Sequence, residues 1–183
     1  MQQTNNQIIA AFKKGDRKAQ MQLYDNYCNA MFAIACRYLK NEEDAKDAMQ
    51  EGFIKAFSKI HSYEPNSEFG AWLKRIVINQ CLDVLKKEKL EFQPLNDEVM
   101  TMESKTDWHF EDTLNKNDIL NAMESLPTKY KVTVQLYLIE GYDHLEISEI
   151  LDIPIKTSRT HLRRGRLKLQ ELLTAKKYVN EKF

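Results

Sequence analysis

The sequence predicts an all-α fold of two small helical domains joined by an acidic flexible linker. Only 5 glycines and 4 prolines occur in 183 residues, which leaves few of the turns that β-hairpins need. Apolar residues recur at the three- and four-residue steps of a helix on both sides of residues 90–113, and this period is lost between those limits. We therefore expect a four-helix domain over residues 1–89, a linker over 90–113 and a second helical domain over 114–183.

The first two helices of the first domain are predicted from their end signals. The first covers about residues 6–14 and ends at Gly15. The second begins at Asp16 and ends near Lys40. Its apolar residues alternate three- and four-residue steps, which stacks them on one face: Leu23, Tyr27, Met31, Ile34 and Tyr38.

The third and fourth helices carry broader apolar stripes. Asn41 caps the third helix in this prediction, and the run "EEDA" then places carboxylates where the helix dipole favours negative charge. The inward stripe of the third helix is predicted to hold Ala45, Ala48, Met49, Phe53, Ala56, Phe57 and Ile60. The fourth helix, "EFGAWLKRIVINQCLDVLKK", is predicted to bury Phe69, Leu73, Ile76, Val77, Cys81 and Val84.

Residues 90–113 lack a helical period and are predicted to be extended and flexible. They hold seven acidic residues and one basic residue, Lys105. Too few apolar side chains recur there to offset the entropy of ordering the chain. We therefore interpret this segment as an acidic linker.

The second domain is predicted to contain a helix-turn-helix. Helical pattern covers residues 115–126, and the next segment, "KYKVTVQLYLIEG", is rich in Val and Tyr, but its length and Gly141 favour a helix over a strand. Asp143, with Glu146 three residues on, then caps a short helix. After a turn at residues 152–154 comes the helix "KTSRTHLRRGRLKL", with six Lys or Arg residues and no acid. This order of elements is typical of a helix-turn-helix.

Any electrostatic function must come from local charge segregation, because Lys plus Arg and Asp plus Glu number 27 each. The basic helix shows such segregation. If Ser158, Leu162, Gly165 and Leu169 face the core, the residues that project outward are Lys156, Thr157, Arg159, Thr160 and Arg163. These side chains suit DNA phosphates and base edges. A face that only improves solubility is the alternative, but such faces normally interleave acids.

A second nucleic-acid surface is predicted on the fourth helix. Trp72, Arg75, Asn79 and Lys86 recur at helical spacing on the side opposite the buried stripe. An aromatic ring, basic groups and an amide offer what single-stranded bases require, namely stacking, backbone neutralisation and edge hydrogen bonds. The alternative is that Trp72 belongs to the core.

The sequence lacks the signatures of catalysis, cofactor binding and metal binding. There is no Gly-rich phosphate loop, no H-E-x-x-H and no G-x-S-x-G. Glu43, Asp44, Asp47 and Glu51 could be imagined as a metal site, but acids at the start of an amphipathic helix are more often a solvated face or a patch that meets a basic partner. We predict a protein that is not an enzyme and has no catalytic residues, metal or cofactor.

The cysteines and the hydropathy predict a cytoplasmic protein without membrane insertion. Cys28, Cys36 and Cys81 form no C-x-x-C pair, and we expect buried, reduced thiols. No apolar run approaches the roughly 20 residues that cross a bilayer. The first residues lack the apolar core of a signal peptide.

Three stretches, taken in order, resemble a group IV, extracytoplasmic-function RNA polymerase sigma factor of the sigma-70 family. "DAKDAMQEGFIKAF" is similar to the family's core-polymerase-binding helix, and "FGAWLKRIVINQCLDVLKK" to the helix that melts and reads the minus-ten element. The stretch from "LPTKYK" to "KLQELL" resembles the domain that reads the minus-thirty-five element. The resemblance covers nearly everything from Ile8 to Leu173 and implies a protein that directs core polymerase to specific promoters and assists promoter melting.

The resemblance also implies roles for individual residues. Docking on the beta-prime clamp helices of the polymerase is implied for Asp47, Gln50, Glu51 and Phe53. Asn79 falls where the family receives a flipped minus-ten base, and the residues around it are Trp72, Arg75, Lys86 and Lys87. The residues that fall on the minus-thirty-five recognition helix are Lys156, Thr157, Arg159, Thr160 and Arg163. The other implied partners are the polymerase beta flap, promoter DNA and an anti-sigma factor, and the acidic linker is implied to mimic nucleic acid in the polymerase cleft.

The sequence departs from the family pattern at four positions of the second domain. His144 stands where Tyr is frequent, Ser148 where Ala is usual, Asp152 where Gly is usual and Ser158 where Val is usual. Ser148 and Ser158 are still small, and Asp tolerates a left-handed turn better than most residues. We therefore expect the fold to be kept.

The sequence also allows two other functions. A two-domain transcription regulator with a sensing domain would share the C-terminal helix-turn-helix, and a helical enzyme or metal-binding protein is the second alternative. Co-purification with core polymerase would separate a sigma factor from a regulator that binds its operator alone.

Overall fold

A computed structural model of the chain describes residues 2–65, 68–87 and 116–180. Every regular element in these ranges is helical, which confirms the predicted all-α class. The chain divides into two compact units, Met1–Lys89 and Leu90–Phe183. The predicted linker lies outside the described residues, and the domain limits with their functional assignments stay predictions.

The first unit contains four α-helices, among its described residues, and one short 3-10 turn. The helices are α1 (Gln2–Lys13), α2 (Arg17–Tyr38), α3 (Glu42–Ser58) and α4 (Phe69–Lys87), and the 3-10 turn is Ile60–Ser62. Gly15 follows α1 with a φ of 91°. The Asp16 carboxylate caps α2 by accepting the backbone N–H of Lys18 at 2.8 Å, and the Asn41 side chain accepts that of Glu43 at 3.0 Å. The Asn41 cap and the start of α2 at Asp16 agree with the sequence prediction.

The predicted apolar residues of α2 and α3 are buried except for Tyr27 and Phe57, which are half-buried, whereas the apolar face of α4 is wider than predicted. Ile76 and Val84 are only half-buried, and the fully buried residues include three that the prediction left out: Ile78, Leu82 and Leu85. Because α4 packs against both α2 and α3, it is enclosed over a broad arc rather than along one narrow stripe.

The three cysteines are free thiols in different surroundings. Cys81 is buried between helices, and burial raises the pKa of its thiol to about 12. Cys28 is half-buried. The prediction of a buried thiol is wrong for Cys36, which is exposed because α2 turns Ile34 and Ala35 inward and the next residue outward.

The second unit consists of four α-helices, within residues 116–180, and one π-helical turn. They are α5 (Lys116–Glu124), α6 (Thr128–Val134), the π turn (Gln135–Ile139), α7 (His144–Leu151) and α8 (Ile155–Asn180). The Val- and Tyr-rich segment is therefore a helix, as predicted. Helix α8 packs against α5, α6 and α7, with Leu126, Val134 and Leu169 in the shared core. None of the helices in the described part of the chain is long and apolar enough to cross a membrane.

In each unit a glycine lies where two helices approach each other closely. A Cβ on Gly52 of α3 would lie 2.7 Å from Cγ2 and 3.2 Å from Cα of Val77 on α4. A Cβ on Gly165 of α8 would lie 2.6 Å from Cγ2 of Val134 and 3.3 Å from Cβ of Tyr130. Both separations are shorter than van der Waals contact, so these helices meet at positions where only glycine fits.

We predict that Gly52→Ala lowers the free energy of unfolding by about 1–3 kcal/mol, because the added methyl group overpacks the contact with the Val77 backbone. Urea denaturation of the full chain measures this change. The control is Gln22→Ala at an exposed position of α2, where we expect a change below about 0.5 kcal/mol. A Gly52→Ala protein more stable than wild type, as helix propensity alone would give, would contradict the close approach.

Candidate functional site

The helix-turn-helix begins with a complete capping box. One Asp143 carboxylate oxygen accepts the backbone N–H groups of Leu145 and Glu146, both at 2.8 Å, and the Glu146 carboxylate accepts the N–H of Asp143 at 2.9 Å. These three bonds satisfy backbone N–H groups at the start of the helix that have no partner within it. The start of α7 is fixed where the sequence predicts it.

The turn between α7 and α8 depends on two of the residues that depart from the family pattern. Asp152 adopts the left-handed conformation with a φ of 54°, as expected for a residue in the position where Gly is usual. The Ser148 hydroxyl donates to the carbonyl of Ile153 at 2.6 Å, and the Ser148 carbonyl accepts the N–H of Ile153 at 3.1 Å. Ser148 therefore closes the turn through both its hydroxyl group and its backbone carbonyl.

The two faces of α8 are divided as the sequence predicts. The predicted inner residues Ser158, Leu162, Gly165 and Leu169 are all buried. The predicted outer residues are Lys156, Arg159, Thr160 and Arg163, which are exposed, and Thr157, which is half-buried. The Thr160 hydroxyl donates to the carbonyl of Lys156 at 2.9 Å, so its oxygen remains available as an acceptor. The outer face presents cationic and hydroxyl groups over the first turns of the helix.

His161 belongs to the inner side of α8, a placement that the sequence prediction missed. Its ring is 3% exposed and meets the Tyr130 ring edge-on at a centroid distance of 5.6 Å. Burial first, and then the positive charges of Lys129 and Arg164, lower the pKa of His161 to about 4. His161 is therefore a neutral core residue at pH 7. Its spacing of four residues from Gly165 was the available signal.

The predicted minus-ten face of α4 is mostly open to solvent. Arg75, Asn79, Lys86 and Lys87 are exposed. Trp72 is half-buried, with its ring centroid 5.2 Å from Tyr63 and 5.6 Å from Phe69. Trp72 therefore packs against an aromatic cluster at the start of α4 and also reaches the surface. Trp72 is therefore partly a core residue and partly a surface residue.

The predicted polymerase-binding face of α3 contains three exposed residues and one buried residue. Asp47, Gln50 and Glu51 are exposed. Phe53 is only 2% exposed, and its ring contacts those of Tyr24 at 4.7 Å and Phe57 at 5.5 Å. Phe53 therefore belongs to the core beneath this face, and its predicted role in polymerase binding stays a prediction.

A groove beside Gln50 was missed by the sequence analysis. It has a volume of about 510 Å³ and lies between α2 and α3, with Phe53 at its base. Met21 and Ile54 line it, and each is 61% exposed. Both are large apolar residues outside the predicted apolar stripes, and this position could have indicated an exposed apolar patch. Among the described side chains, no group of three His, Cys, Asp or Glu residues is arranged to hold a metal ion.

Comparisons with known proteins agree with this division into two units. The family model for sigma-70 region 2 matches residues 23–91, and that for sigma-70 region 4 matches residues 116–169. The extracytoplasmic-function (ECF) RNA polymerase sigma factor SigW of Bacillus subtilis is 33% identical over 177 residues, which cover 90% of this chain and 94% of that protein. This chain belongs to the ECF sigma factors of the sigma-70 family.

Further relatives of this ECF sigma factor extend the comparison. The ECF RNA polymerase sigma-E factor of Haemophilus influenzae is 28% identical over 178 residues, covering 90% of this chain and 93% of that protein. A solved structure of the sigma factor RpoE in complex with the anti-sigma factor NepR from Bartonella quintana has a TM-score of 0.56 and 24% identity. It covers 84% of this chain and 96% of that chain. At this identity the structural match shows a shared fold.

We predict that His161 stays neutral in the folded protein far below the usual titration range of histidine. The folded-state pKa of about 4 lies below the unfolded value of about 6.5, so between these values the unfolded chain binds the proton and the folded chain does not. The stability contributed by neutral His161 is therefore complete above about pH 6.5 and is lost, by up to about 1.4 kcal/mol per pH unit, as the pH falls towards 4.

The NMR shift of the His161 Hε1 proton measures this directly. We expect no titration step between pH 8 and pH 5.5 in the folded chain, and a step near pH 6.5 for the same residue in concentrated urea. A folded-state midpoint near 6.5 would contradict the burial of this ring.

Proposed function

We propose that this ECF sigma factor directs core RNA polymerase to specific promoters and assists promoter melting through three surfaces on separate helices. One observation carries the proposal: α3, α4 and α8 each bury an apolar face and expose the polar side chains that the family resemblance assigns to polymerase, minus-ten DNA and minus-thirty-five DNA. Sigma factors are initiation factors, so the chemistry of RNA synthesis stays with the polymerase.

Helix α8 supplies the minus-thirty-five surface in this proposal. The exposed residues Lys156, Arg159 and Arg163 offer guanidinium and ammonium groups to phosphates and guanine edges. The exposed Thr160 and half-buried Thr157 add hydroxyl groups. The buried inner face of α8 sets its rotation, so these groups point to one side.

We predict that Arg159→Ala weakens holoenzyme binding to a double-stranded minus-thirty-five site by about 1–3 kcal/mol if Arg159 contacts a base, and by less if it contacts a phosphate. Lys168→Ala is the matched control, because it removes one positive charge farther along the same helix, where Lys168 pairs with Glu171 at 2.9 Å. Equal effects of the two substitutions on promoter affinity would show that α8 contributes only general charge.

Helix α3 supplies the polymerase surface in this proposal. Asp47, Gln50 and Glu51 are exposed on the side away from the buried Ala48, and the groove beside Gln50 adds apolar area. Exposed acids next to an apolar groove suit a partner helix that carries basic and apolar residues. The polymerase beta-prime clamp helices are the partner that the family resemblance implies.

We predict that the double substitution Asp47→Lys and Glu51→Lys weakens core-polymerase binding at least about tenfold, because like charges then oppose a basic partner. Co-purification with core polymerase at moderate salt measures the loss. Reversal of Asp25 and Glu64, two exposed acids elsewhere in the unit, changes the charge equally and should leave binding intact. Unchanged retention of the first variant would refute the assignment of α3.

Helix α4 supplies the minus-ten surface in this proposal. The Asn79 amide is exposed and can donate two hydrogen bonds and accept others at a flipped base edge. Arg75, Lys86 and Lys87 add positive charge along the helix, and the partly exposed Trp72 ring can stack.

We predict that Asn79→Ala reduces open-complex formation about fivefold or more, the scale of one lost hydrogen bond, while core binding and closed-complex formation stay near normal. A promoter melted in advance across the minus-ten element should rescue the variant only partly, because the base contact is still absent. Permanganate footprinting of thymines measures opening, with Asn26→Ala at an exposed position of α2 as the control. Wild-type reactivity of Asn79→Ala on an intact duplex would exclude a role in opening.

The remaining assignments extend this proposal beyond the three surfaces. We propose a cytoplasmic site of action, contact with the polymerase beta flap and regulation by an anti-sigma factor. These partners follow from membership of the family and from the resemblance of the second domain to the minus-thirty-five reader.

A further inference from the structure

We propose that His144 is a positioning residue that sets the orientation of the promoter-reading helix α8 through a hydrogen bond to Ser158. The inference rests on the proposed minus-thirty-five role of α8 and deepens it. His144 is the first residue of α7, and Ser158 lies in the first turn of α8, 14 residues away. The pair joins the two helices of the helix-turn-helix.

The bond to Ser158 restricts the rotation of α8 about its axis, and this rotation determines where the outer face of the helix points. Nδ1 of His144 is 2.9 Å from Oγ of Ser158, and Ser158 is 0% exposed. An orientation of α8 that left the buried Ser158 hydroxyl without a partner would be destabilised. The orientation that keeps the bond to His144 is therefore favoured. Because Arg159 follows Ser158 directly, that orientation also sets the position of the Arg159 side chain.

The opposite contact of His144 is with the π-helical turn. The His144 ring stacks on the Tyr137 ring, with a centroid distance of 4.8 Å and an interplanar angle of 29°. The imidazole therefore joins three elements: the π turn through Tyr137, α7 through its own backbone and α8 through Ser158. A side chain fixed on two sides restricts the angle between α7 and α8 more than either contact alone.

The bond needs both side chains of this pair. A phenyl ring at position 144 has no Nδ1 and an alkyl side chain at position 158 has no hydroxyl group, so either change removes this partner from the other residue. Burial and the nearby charge of Arg159 lower the pKa of His144, against a smaller opposite effect of Asp143. The favoured neutral ring can pair with a hydroxyl group, which both donates and accepts.

Four variants separate the bond from the stacked ring. His144→Phe keeps an aromatic ring for Tyr137 and removes Nδ1, whereas His144→Asn keeps a polar atom near Nδ1 and removes the ring. Ser158→Ala removes the hydroxyl, and the double variant His144→Phe with Ser158→Ala removes both partners. Urea denaturation and retention on core polymerase report whether each full chain is folded.

The functional readout is transcription by the reconstituted holoenzyme from a promoter identified by sequencing its own transcripts. The measured quantity is the ratio between this promoter and the same promoter with a scrambled minus-thirty-five element. We expect His144→Phe to reduce this ratio about tenfold, the scale of one unpaired buried hydroxyl, and the double variant to recover most of the loss. His144→Asn should retain more of the ratio than His144→Phe.

The outcomes distinguish this inference from the function on which it rests. A double variant whose loss equals the product of the two single losses, or single variants with the wild-type ratio, would overturn the positioning role of His144. A wild-type holoenzyme that does not respond to the scrambled element would contradict the proposed role of α8 itself. In that case non-additive unfolding free energies of the same variants would still establish the pair, because that measurement needs neither polymerase nor DNA.

Discussion

Each helix that carries a proposed functional surface buries an apolar face and exposes polar side chains on the other side, and the rest of the structure depends on that division. In α8, Gly165 allows contact with Val134, and Arg159 remains exposed on the other side. In α4, Val77 is fully buried and Asn79 is exposed. The inner contacts fix the rotation of each helix and thereby the side on which its outer residues lie.

The spacing of apolar residues was enough to predict the helices and most of the core. It did not predict all the buried residues of a helix that packs against neighbours on more than one side. All four predicted inner residues of α8 are buried, because that helix has one broad apolar stripe and one charged face. In α4, Ile78 and Leu82 were missed, since contact with both α2 and α3 removes the contrast between the faces. No sequence pattern predicts the π turn, because a π-helical turn differs from an α-helical one in its backbone hydrogen bonds and not in its residue types.

The candidate site could be predicted where charge and exposure coincide, and could not be predicted where contacts cross between elements. The exposure of Asp47 and Arg159 follows from the sequence pattern. Phe53 belongs both to the predicted apolar stripe and to the family motif, and in the structure it is buried. The bond between His144 and Ser158 depends on how the turn folds back, which spacing along the chain does not specify. Neutral overall charge with acids on α3 and bases on α8 fits a subunit whose surfaces act inside a larger complex.

Transcription by purified core polymerase, with and without this chain, tests the central claim most directly. The template is total DNA of the organism that encodes the protein, and the 5′ ends of the products are sequenced. We expect the chain to create a set of new start sites that share two upstream sequence elements, one for each DNA-reading helix. Start sites that are the same with and without the chain would contradict the assignment of this protein as a promoter-specificity subunit.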